Sequence, residues 1–173
     1  MPLGRKGNNK MTTNKSVLAW IEEMKNLLNP DKVVWIDGSE EQLEALRKEA
    51  CETGEMIKLN EEKLPGCYLH RTRENDVARV EDRTFICCRD EKDAGPTNNW
   101  KNPQEAYQML FDIARGSYKG RTMYVIPYSM GPVGSPLAKI GYEVTDSIYV
   151  VLNMSIMTLS LIHISEPTRH AQI

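Results

Sequence analysis

Apolar residues recur every three or four positions in three stretches of the chain, a spacing that predicts amphipathic helices. The first helix is expected from Ser16, whose side chain is suited to cap the start, to Asn29 and Pro30, which would end it. Its apolar stripe consists of Val17, Trp20, Ile21, Met24, Leu27 and Leu28.

The second and third helices carry equally clear end signals. Ser39 is a typical N-cap, and the acids that follow it suit the positive end of a helix dipole. Gly54 stands where this second helix would end. The third helix is expected from Gln104 to Ala114, after Pro103. The predicted buried stripes are Leu43, Leu46 and Ala50 in the second helix, and Ala106, Met109, Leu110 and Ile113 in the third.

Short apolar runs between these helices predict strands. Val33–Ile36 follows the first helix, and Thr122–Pro127 has an uncharged interior that is typical of a strand buried on both faces. The glycines and prolines of residues 131–136 then predict a rigid loop that leaves the centre of a sheet, followed by another strand. Weaker strand candidates are 56–59, 67–70 and 84–88. Together these elements predict an α/β fold, a mixed sheet with flanking helices.

Two stretches are less well determined. Residues 148–158 alternate as a strand would, but Val151, Met154 and Met157 also fit a helical stripe behind the capping residues Thr145–Ser147. Residues 90–103 are rich in Asp, Lys, Gly, Pro and Asn and predict an exposed loop. Trp100 within that loop either lies on the surface or folds back onto the core.

Composition limits the classes of function. The chain has 173 residues, 40% hydrophobic and 27% charged, with a net charge of −2. These values predict one globular domain with neither a nucleic-acid partner nor a membrane partner. The four cysteines lack metal-ligand spacing, which favours reduced thiols in a cytoplasmic protein.

One run is far more specific than any of these patterns. The segment GRTMYVIPYSMGPVGSPLAKIGYEVTDSIYVV, from Gly120 to Val151, closely resembles the GTP-dependent phosphoenolpyruvate carboxykinases. The resemblance extends through WIDGSEEQ and ENDVARVEDRT back to about Val17, and it ends near Thr158. It implies the N-terminal domain fold of that family, and an enzyme that converts oxaloacetate and GTP to phosphoenolpyruvate, GDP and CO₂ in gluconeogenesis. The full-length enzyme would be monomeric.

The DVAR motif provides the substrate-binding candidate. Arg79 lies between Ala78 and Val80, where a guanidinium needs a partner, and its planar fork suits a carboxylate. The resemblance implies that Arg79 contacts the carboxylate of oxaloacetate or phosphoenolpyruvate. Glu81 would support it from the same side of an extended chain.

Other candidates are rejected on their surroundings. The sequence has no G-x-x-x-x-G-K-[ST] loop, and the nearest mimic, Gly131–Gly134, runs into Ser135-Pro136, where proline lacks an amide. Asp37 has no preceding glycine-rich fingerprint, so a structural role is favoured over ribose binding. His70 is expected to be a surface or hydrogen-bonded residue and not a metal ligand.

No catalytic, nucleotide-binding or metal-binding residue is therefore assigned to this chain. The resemblance implies that GTP and a divalent metal, Mn or Mg, bind elsewhere in the full-length enzyme, and that this fragment alone is inactive.

The domain organisation is expected to have three parts. Residues 1–15 form a disordered leader, residues 16–158 a partial N-terminal carboxykinase domain, and residues 159–173 a non-native tail. LIHISEPTR in that tail resembles a translated adapter or vector junction. The alternative is a genuine small protein that binds a dicarboxylate or a protein partner without catalysis.

Overall fold

The described part of the chain contains four α-helices and eight strands. The computed structural model describes residues 12–72, 74, 80–157 and 160–161. The helices are α1 (Lys15–Leu28), α2 (Glu40–Glu52), α3 (Pro103–Ala114) and α4 (Ile148–Met157). The strands are β1 (Lys32–Trp35), β2 (Ile57–Lys58), β3 (Tyr68–Leu69), β4 (Phe85–Ile86), β5 (Asn99–Trp100), β6 (Thr122–Met130), β7 (Lys139–Thr145) and β8 (Ser160–Leu161).

The main sheet is mixed and has β6 at its centre. Strand β1 pairs with β6 in parallel, from Lys32 opposite Thr122 to Trp35 opposite Val125. Strand β7 pairs with the other edge of β6 in antiparallel register, and β8 pairs with Tyr128 and Ser129. This arrangement confirms the predicted α/β class, and β6 and β7 confirm the predicted strand, loop and strand.

Helices cover both faces of β6. On one face, Met123 and Val125 pack with Ile21 and Leu28 of α1. On the other face, Tyr124 and Ile126 pack with Ile36 and with side chains of α2 and α4: Leu43, Leu46, Ala50, Ile148, Val151 and Leu152. Burying a side chain of this size contributes roughly 1.5–3 kcal/mol, so the uncharged interior of β6 stabilises the core on both faces of the sheet.

Helix α1 begins earlier than the sequence predicted. Its N-cap is Asn14, whose Oδ1 accepts hydrogen bonds from the backbone N–H groups of Ser16 (3.0 Å) and Val17 (3.3 Å). The assignment of Ser16 as the cap was therefore wrong, because the Asn14 amide already fills that role. The disordered leader predicted for residues 1–15 overlaps this helix start, since Asn14 caps α1 and Lys15 belongs to it, and residues 1–11 lie outside the described part.

The predicted inner stripe of α3 was only partly correct. Ala106 is buried, but Leu110 is 56% exposed and Ile113 is 71% exposed. Among the described residues α3 packs against α1, where Ala114 joins the α1 cluster. That contact covers a narrower face of α3 than the apolar stripe predicts.

The segment between α2 and α3 forms two small two-stranded sheets. Strands β2 and β3 pair antiparallel, and β4 and β5 pair parallel. The prediction of an exposed loop over 90–103 was wrong in part, because Glu91–Ala94 is a 3₁₀ helix and Asn99–Trp100 is β5. Trp100 is half-buried and belongs to neither core cluster; its Nε1–H donates to the carbonyl of Cys88 at 2.9 Å.

The ambiguous segment after β7 is helical. Of the two possibilities that residues 148–158 left open, the structure has the helix α4, whose buried positions are Ile148, Val151 and Leu152. The four cysteines are free thiols. Within the described residues, no helix has the length and apolar character needed to cross a bilayer.

Candidate substrate-binding site

The carboxyl ends of the parallel strands β1 and β6 point towards the same edge of the main sheet; β1 ends beside Val125, and β6 continues for five residues to Met130. In α/β folds, this edge is where ligands bind most often. Asp37 follows β1 there, and the loop of residues 131–138 follows β6. The predicted exit of that loop from the sheet centre is thus confirmed.

Local hydrogen bonds hold the loop in shape. Ser129 is buried, and its Oγ–H donates to the carbonyl of Gly131 at 3.0 Å. The N–H of Ser135 donates to the carbonyl of Pro132, and the N–H of Leu137 donates to Ser135 Oγ. Gly131 has φ 103°, a conformation that other residues rarely adopt. No charged side chain occurs from Gly131 to Ala138, so the loop shapes the edge and supplies no cation for an anionic ligand.

The principal candidate, Arg79, lies outside the described residues. The turn directly after it is well defined, however. The carbonyl of Val80 accepts Thr84 Oγ1–H at 2.6 Å and the N–H of Arg83 at 3.2 Å. Val80, the residue directly after Arg79, is therefore held in place by hydrogen bonds.

Glu81 begins a 3₁₀ turn of residues 81–83, so the extended chain expected around it ends at Val80. Its backbone carbonyl accepts a hydrogen bond from Asn99 Nδ2 at 2.8 Å. Its side chain is exposed, and within the described ranges its carboxylate makes no hydrogen bond or ion pair. The support that Glu81 was expected to give Arg79 stays a prediction. No described hydrogen bond joins the 81–84 turn to the 131–138 loop.

Asp37 has a structural position. Its Oδ1 accepts the N–H of Ser39 at 2.8 Å, and its own N–H donates to Gln42 Oε1 at 2.8 Å. Gln42 Nε2 in turn donates to the carbonyl of Trp35. These bonds connect the end of β1 to the start of α2, as the structural interpretation of Asp37 predicted.

His70 is hydrogen-bonded, as predicted. Its Nδ1–H donates to the carbonyl of Glu55 at 2.7 Å. The imidazole stacks on the ring of Tyr149, with 3.9 Å between centroids and 15° between planes.

Sequence reasoning missed the role of the Glu55 side chain. Its Oε1 accepts the hydroxyl of Ser147 at 2.6 Å and the N–H of Tyr149 at 2.9 Å, so it caps α4 from a distant part of the chain. The capping residues before α4 were visible in the sequence. Their partner was not, because it lies 92 residues earlier.

The described residues do not fit a metal site. No group of three or more His, Cys, Asp or Glu side chains within the described ranges is arranged to hold a metal ion.

The family model of the phosphoenolpyruvate carboxykinase N-terminal domain matches residues 19–166. The chain belongs to this family. The matched range extends past Thr158, where the resemblance by motif was expected to end.

Curated relatives agree with this assignment. The chain is 53% identical over 146 residues to a protein named phosphoenolpyruvate carboxykinase [GTP] from Anaeromyxobacter sp. (strain K). It is 54% identical over 150 residues to the protein of that name from Corynebacterium kroppenstedtii, and 50% identical over 147 residues to that from Corynebacterium efficiens. These alignments cover 84%, 87% and 85% of this chain and 24% of each relative. The chain thus spans about a quarter of the length of these carboxykinases.

Proposed function

We propose that this chain is the amino-terminal part of a GTP-dependent phosphoenolpyruvate carboxykinase. The full-length enzyme would convert oxaloacetate and GTP to phosphoenolpyruvate, GDP and CO₂. The observation that carries the proposal is the identity of 50% or more to proteins named as this enzyme, over 84% or more of the chain.

Within this reaction, Arg79 has the role of binding the substrate carboxylate. A guanidinium donates two parallel hydrogen bonds to a carboxylate, which fixes the orientation of a small dianion as well as its position. The hydrogen-bonded turn at Val80 and Thr84 supports this role, because an arginine that orients a substrate needs a fixed backbone beside it. Glu81 is proposed as a supporting acid of this arginine.

GTP supplies the phosphoryl group and a divalent metal, Mn or Mg, supplies positive charge when each is bound. We place both sites in the part of the enzyme that this chain does not span, and we expect the 173 residues alone to be inactive. A cytoplasmic location is proposed as well; the free thiols of all four cysteines support it.

The test of the enzyme uses the source DNA. Reading the DNA through the codons for Thr158–Ile173 should show a frame that continues into a phosphate-binding loop, with residues 159–173 replaced by a native continuation. The full-length product should then form phosphoenolpyruvate from oxaloacetate only when GTP is present. A genomic stop codon after Ile173 would instead favour the non-catalytic dicarboxylate-binding alternative.

The test of Arg79 uses that full-length enzyme. Arg79→Met should raise the KM for oxaloacetate roughly tenfold or more, because a hydrogen bond to a charged group contributes about 1.5–3 kcal/mol. Arg79→Lys should restore only part of the affinity, since it keeps the charge and loses the fork. Arg71→Met is the matched control, because Arg71 is exposed and lies before the motif. Equal KM values for the two methionine variants would remove Arg79 from the site.

A further inference from the structure

Two cysteines follow one another directly after β4. Cys87 is exposed, Cys88 is half-buried, and both are free thiols. They are the only adjacent cysteines in the sequence, so a single peptide group separates them. An accessible cysteine with a second cysteine beside it is typical of a site of reversible oxidation, because the second thiol can close a disulfide once the first has reacted.

The peptide group between these two cysteines is not held by the sheet. The paired part of β4 ends at Ile86, whose carbonyl accepts the N–H of Lys101 at 3.3 Å. Within the described residues, neither the carbonyl of Cys87 nor the N–H of Cys88 makes a hydrogen bond. Turning this peptide group therefore breaks no hydrogen bond of its own. Adjacent cysteines need such a turn before they can be joined, since successive side chains of an extended chain point to opposite sides.

Two other hydrogen bonds of Cys88 favour the reduced form. Its carbonyl accepts Trp100 Nε1–H at 2.9 Å, and its Sγ–H donates to the carbonyl of Asp90 at 3.2 Å. A cysteine in a disulfide has no Sγ–H, so oxidation removes the second bond. Trp100 belongs to β5, which pairs with β4, so the first bond ties the position of Cys88 to the small sheet.

We propose that Cys87 and Cys88 form a reversible disulfide with each other, and that its closure separates the carbonyl of Cys88 from Trp100. The oxidant is a small-molecule disulfide such as glutathione disulfide. The sulfur of Cys87 attacks one of its sulfur atoms, which breaks the glutathione S–S bond and releases one glutathione thiol. The sulfur of Cys88 then attacks that of Cys87 and releases the second glutathione. The two protons of the cysteine thiols end on the two glutathione thiols.

This disulfide would be easy to reduce again. The Cα atoms of successive residues are about 3.8 Å apart, which is closer than the range of about 4.4–6.8 Å that most disulfides have. Strained disulfides of this kind are the labile ones, and they are reduced when the oxidant disappears. Reversible oxidation suits the proposed cytoplasmic location, where thiols are normally kept reduced. The proposal does not depend on Arg79 or on the carboxykinase reaction.

Peptide mapping of the folded full-length protein tests the modification. Trypsin releases residues 84–89 as TFICCR, which contains Cys87 and Cys88, and residues 64–71 as LPGCYLHR, which contains only Cys67. After incubation with glutathione disulfide, free thiols are blocked with iodoacetamide and the peptide masses are measured. TFICCR should lack two hydrogen atoms and carry no acetamide group, and dithiothreitol should reverse this change. Cys67 is also exposed, but it has no adjacent thiol and should carry glutathione.

Variants separate the two steps and test the link to Trp100. Cys88→Ser should stop the reaction at Cys87 joined to glutathione. In a buffer of reduced and oxidised glutathione, Trp100→Phe should raise the ratio of disulfide to dithiol in TFICCR about two- to tenfold, because one hydrogen bond that favours the reduced form is lost. Trp20→Phe is the matched control, since Trp20 is half-buried in the α1 cluster, and it should leave the ratio unchanged.

Three results would overturn the proposal. One is glutathione on Cys87 of the unmodified protein without a bond to Cys88. Another is a TFICCR peptide that stays a dithiol while Cys67 reacts, because Cys87 is then inaccessible in the folded protein. The third is an equal ratio of disulfide to dithiol in Trp100→Phe and the unmodified protein, which would show that closure does not separate Cys88 from Trp100.

Discussion

The carboxylate of Glu55 accepts a hydrogen bond from the hydroxyl of Ser147 at 2.6 Å. The same oxygen accepts the N–H of Tyr149 at 2.9 Å, so a charged group lies at the positive end of α4. The carbonyl of Glu55 meanwhile binds His70, whose ring stacks on Tyr149. Glu55, which lies in the turn after α2, thus connects the end of β3 to the start of α4.

This connection predicts a measurable coupling between Glu55 and Ser147. In urea unfolding, Glu55→Ala and Ser147→Ala should each lower the free energy of unfolding, and the double variant should lose less than the sum. The coupling should be about 1–2 kcal/mol, because the bond is partly buried and has a charged acceptor. Glu62→Ala, at an exposed acid, is the control and should change little. Additive losses within about 0.3 kcal/mol would show that the two side chains act independently.

Replacing Asn99 is expected to change the substrate affinity through the backbone turn that follows Arg79. Asn99 Nδ2 donates to the carbonyls of Glu81 (2.8 Å) and Thr84 (3.4 Å), across this turn. In the full-length enzyme, Asn99→Ala should raise the KM for oxaloacetate several-fold, because a freed turn no longer fixes the arginine.

The neighbouring asparagine provides the control for that measurement. Asn98 Nδ2 donates to the carbonyl of Ala94, away from the 81–84 turn. Asn98→Ala should leave the KM unchanged. If both variants change the KM equally, the effect comes from a general disturbance of β5 and not from the loss of the Asn99 hydrogen bonds to the 81–84 turn.

At Gly141 the main sheet has no room for a larger side chain. Gly141 lies opposite Tyr128, and a Cβ at this position would lie 2.8 Å from Cε1 of that ring and closer still to its outer atoms. Gly141→Ala should therefore destabilise the protein by about 1–3 kcal/mol, as the ring must move. In a Tyr128→Leu background the same substitution should cost much less. An equal cost in both backgrounds, measured by urea unfolding, would assign it to the backbone and not to the ring.

The sequence predicted the main sheet well because its signals are local. An uncharged run such as Thr122–Pro127 is compatible with few environments other than a sheet centre, and Ser39 and Pro103 mark helix starts by their own chemistry. The N-cap of α1 was misplaced because Asn14 and Ser16 are both good caps, and the choice depends on where the helical hydrogen bonds begin.

Local sequence patterns did not predict the long-range contacts of the fold. The pairing of Phe85–Ile86 with Asn99–Trp100 and the cap of α4 by Glu55 depend on residues far apart in the chain. The exposure of Leu110 and Ile113 was missed for a related reason: an apolar stripe shows which face of a helix needs a partner and not how wide that partner is. For the candidate site, the motif gave Arg79, and the structure adds the turn at Val80–Thr84 beside it.

Tyr124 predicts how stability depends on alkaline pH. Burial raises the pKa of this phenol to about 12, with a smaller contribution from the nearby charges of Glu49 and Glu55. Since an exposed tyrosine ionises near pH 10, the folded state holds this proton more tightly than the unfolded state does. The resulting stability is fully present below about pH 10 and is lost as the pH rises towards 12, by roughly 3 kcal/mol in total. Tyr124→Phe should therefore make the free energy of unfolding fall less steeply across this range.

Tyr107→Phe is the matched control for this titration, because Tyr107 is 67% exposed. Its replacement should leave the slope of the free energy of unfolding against pH unchanged. Burial also raises the pKa of Tyr118, but Tyr118 is retained in all the proteins compared, so the difference in slope isolates Tyr124. The slope is the quantity to compare, because the level of the free energy of unfolding also depends on the loss of the Tyr124 hydroxyl. Parallel slopes for the unmodified protein and Tyr124→Phe would mean that the pKa of this phenol is the same in the folded and unfolded states.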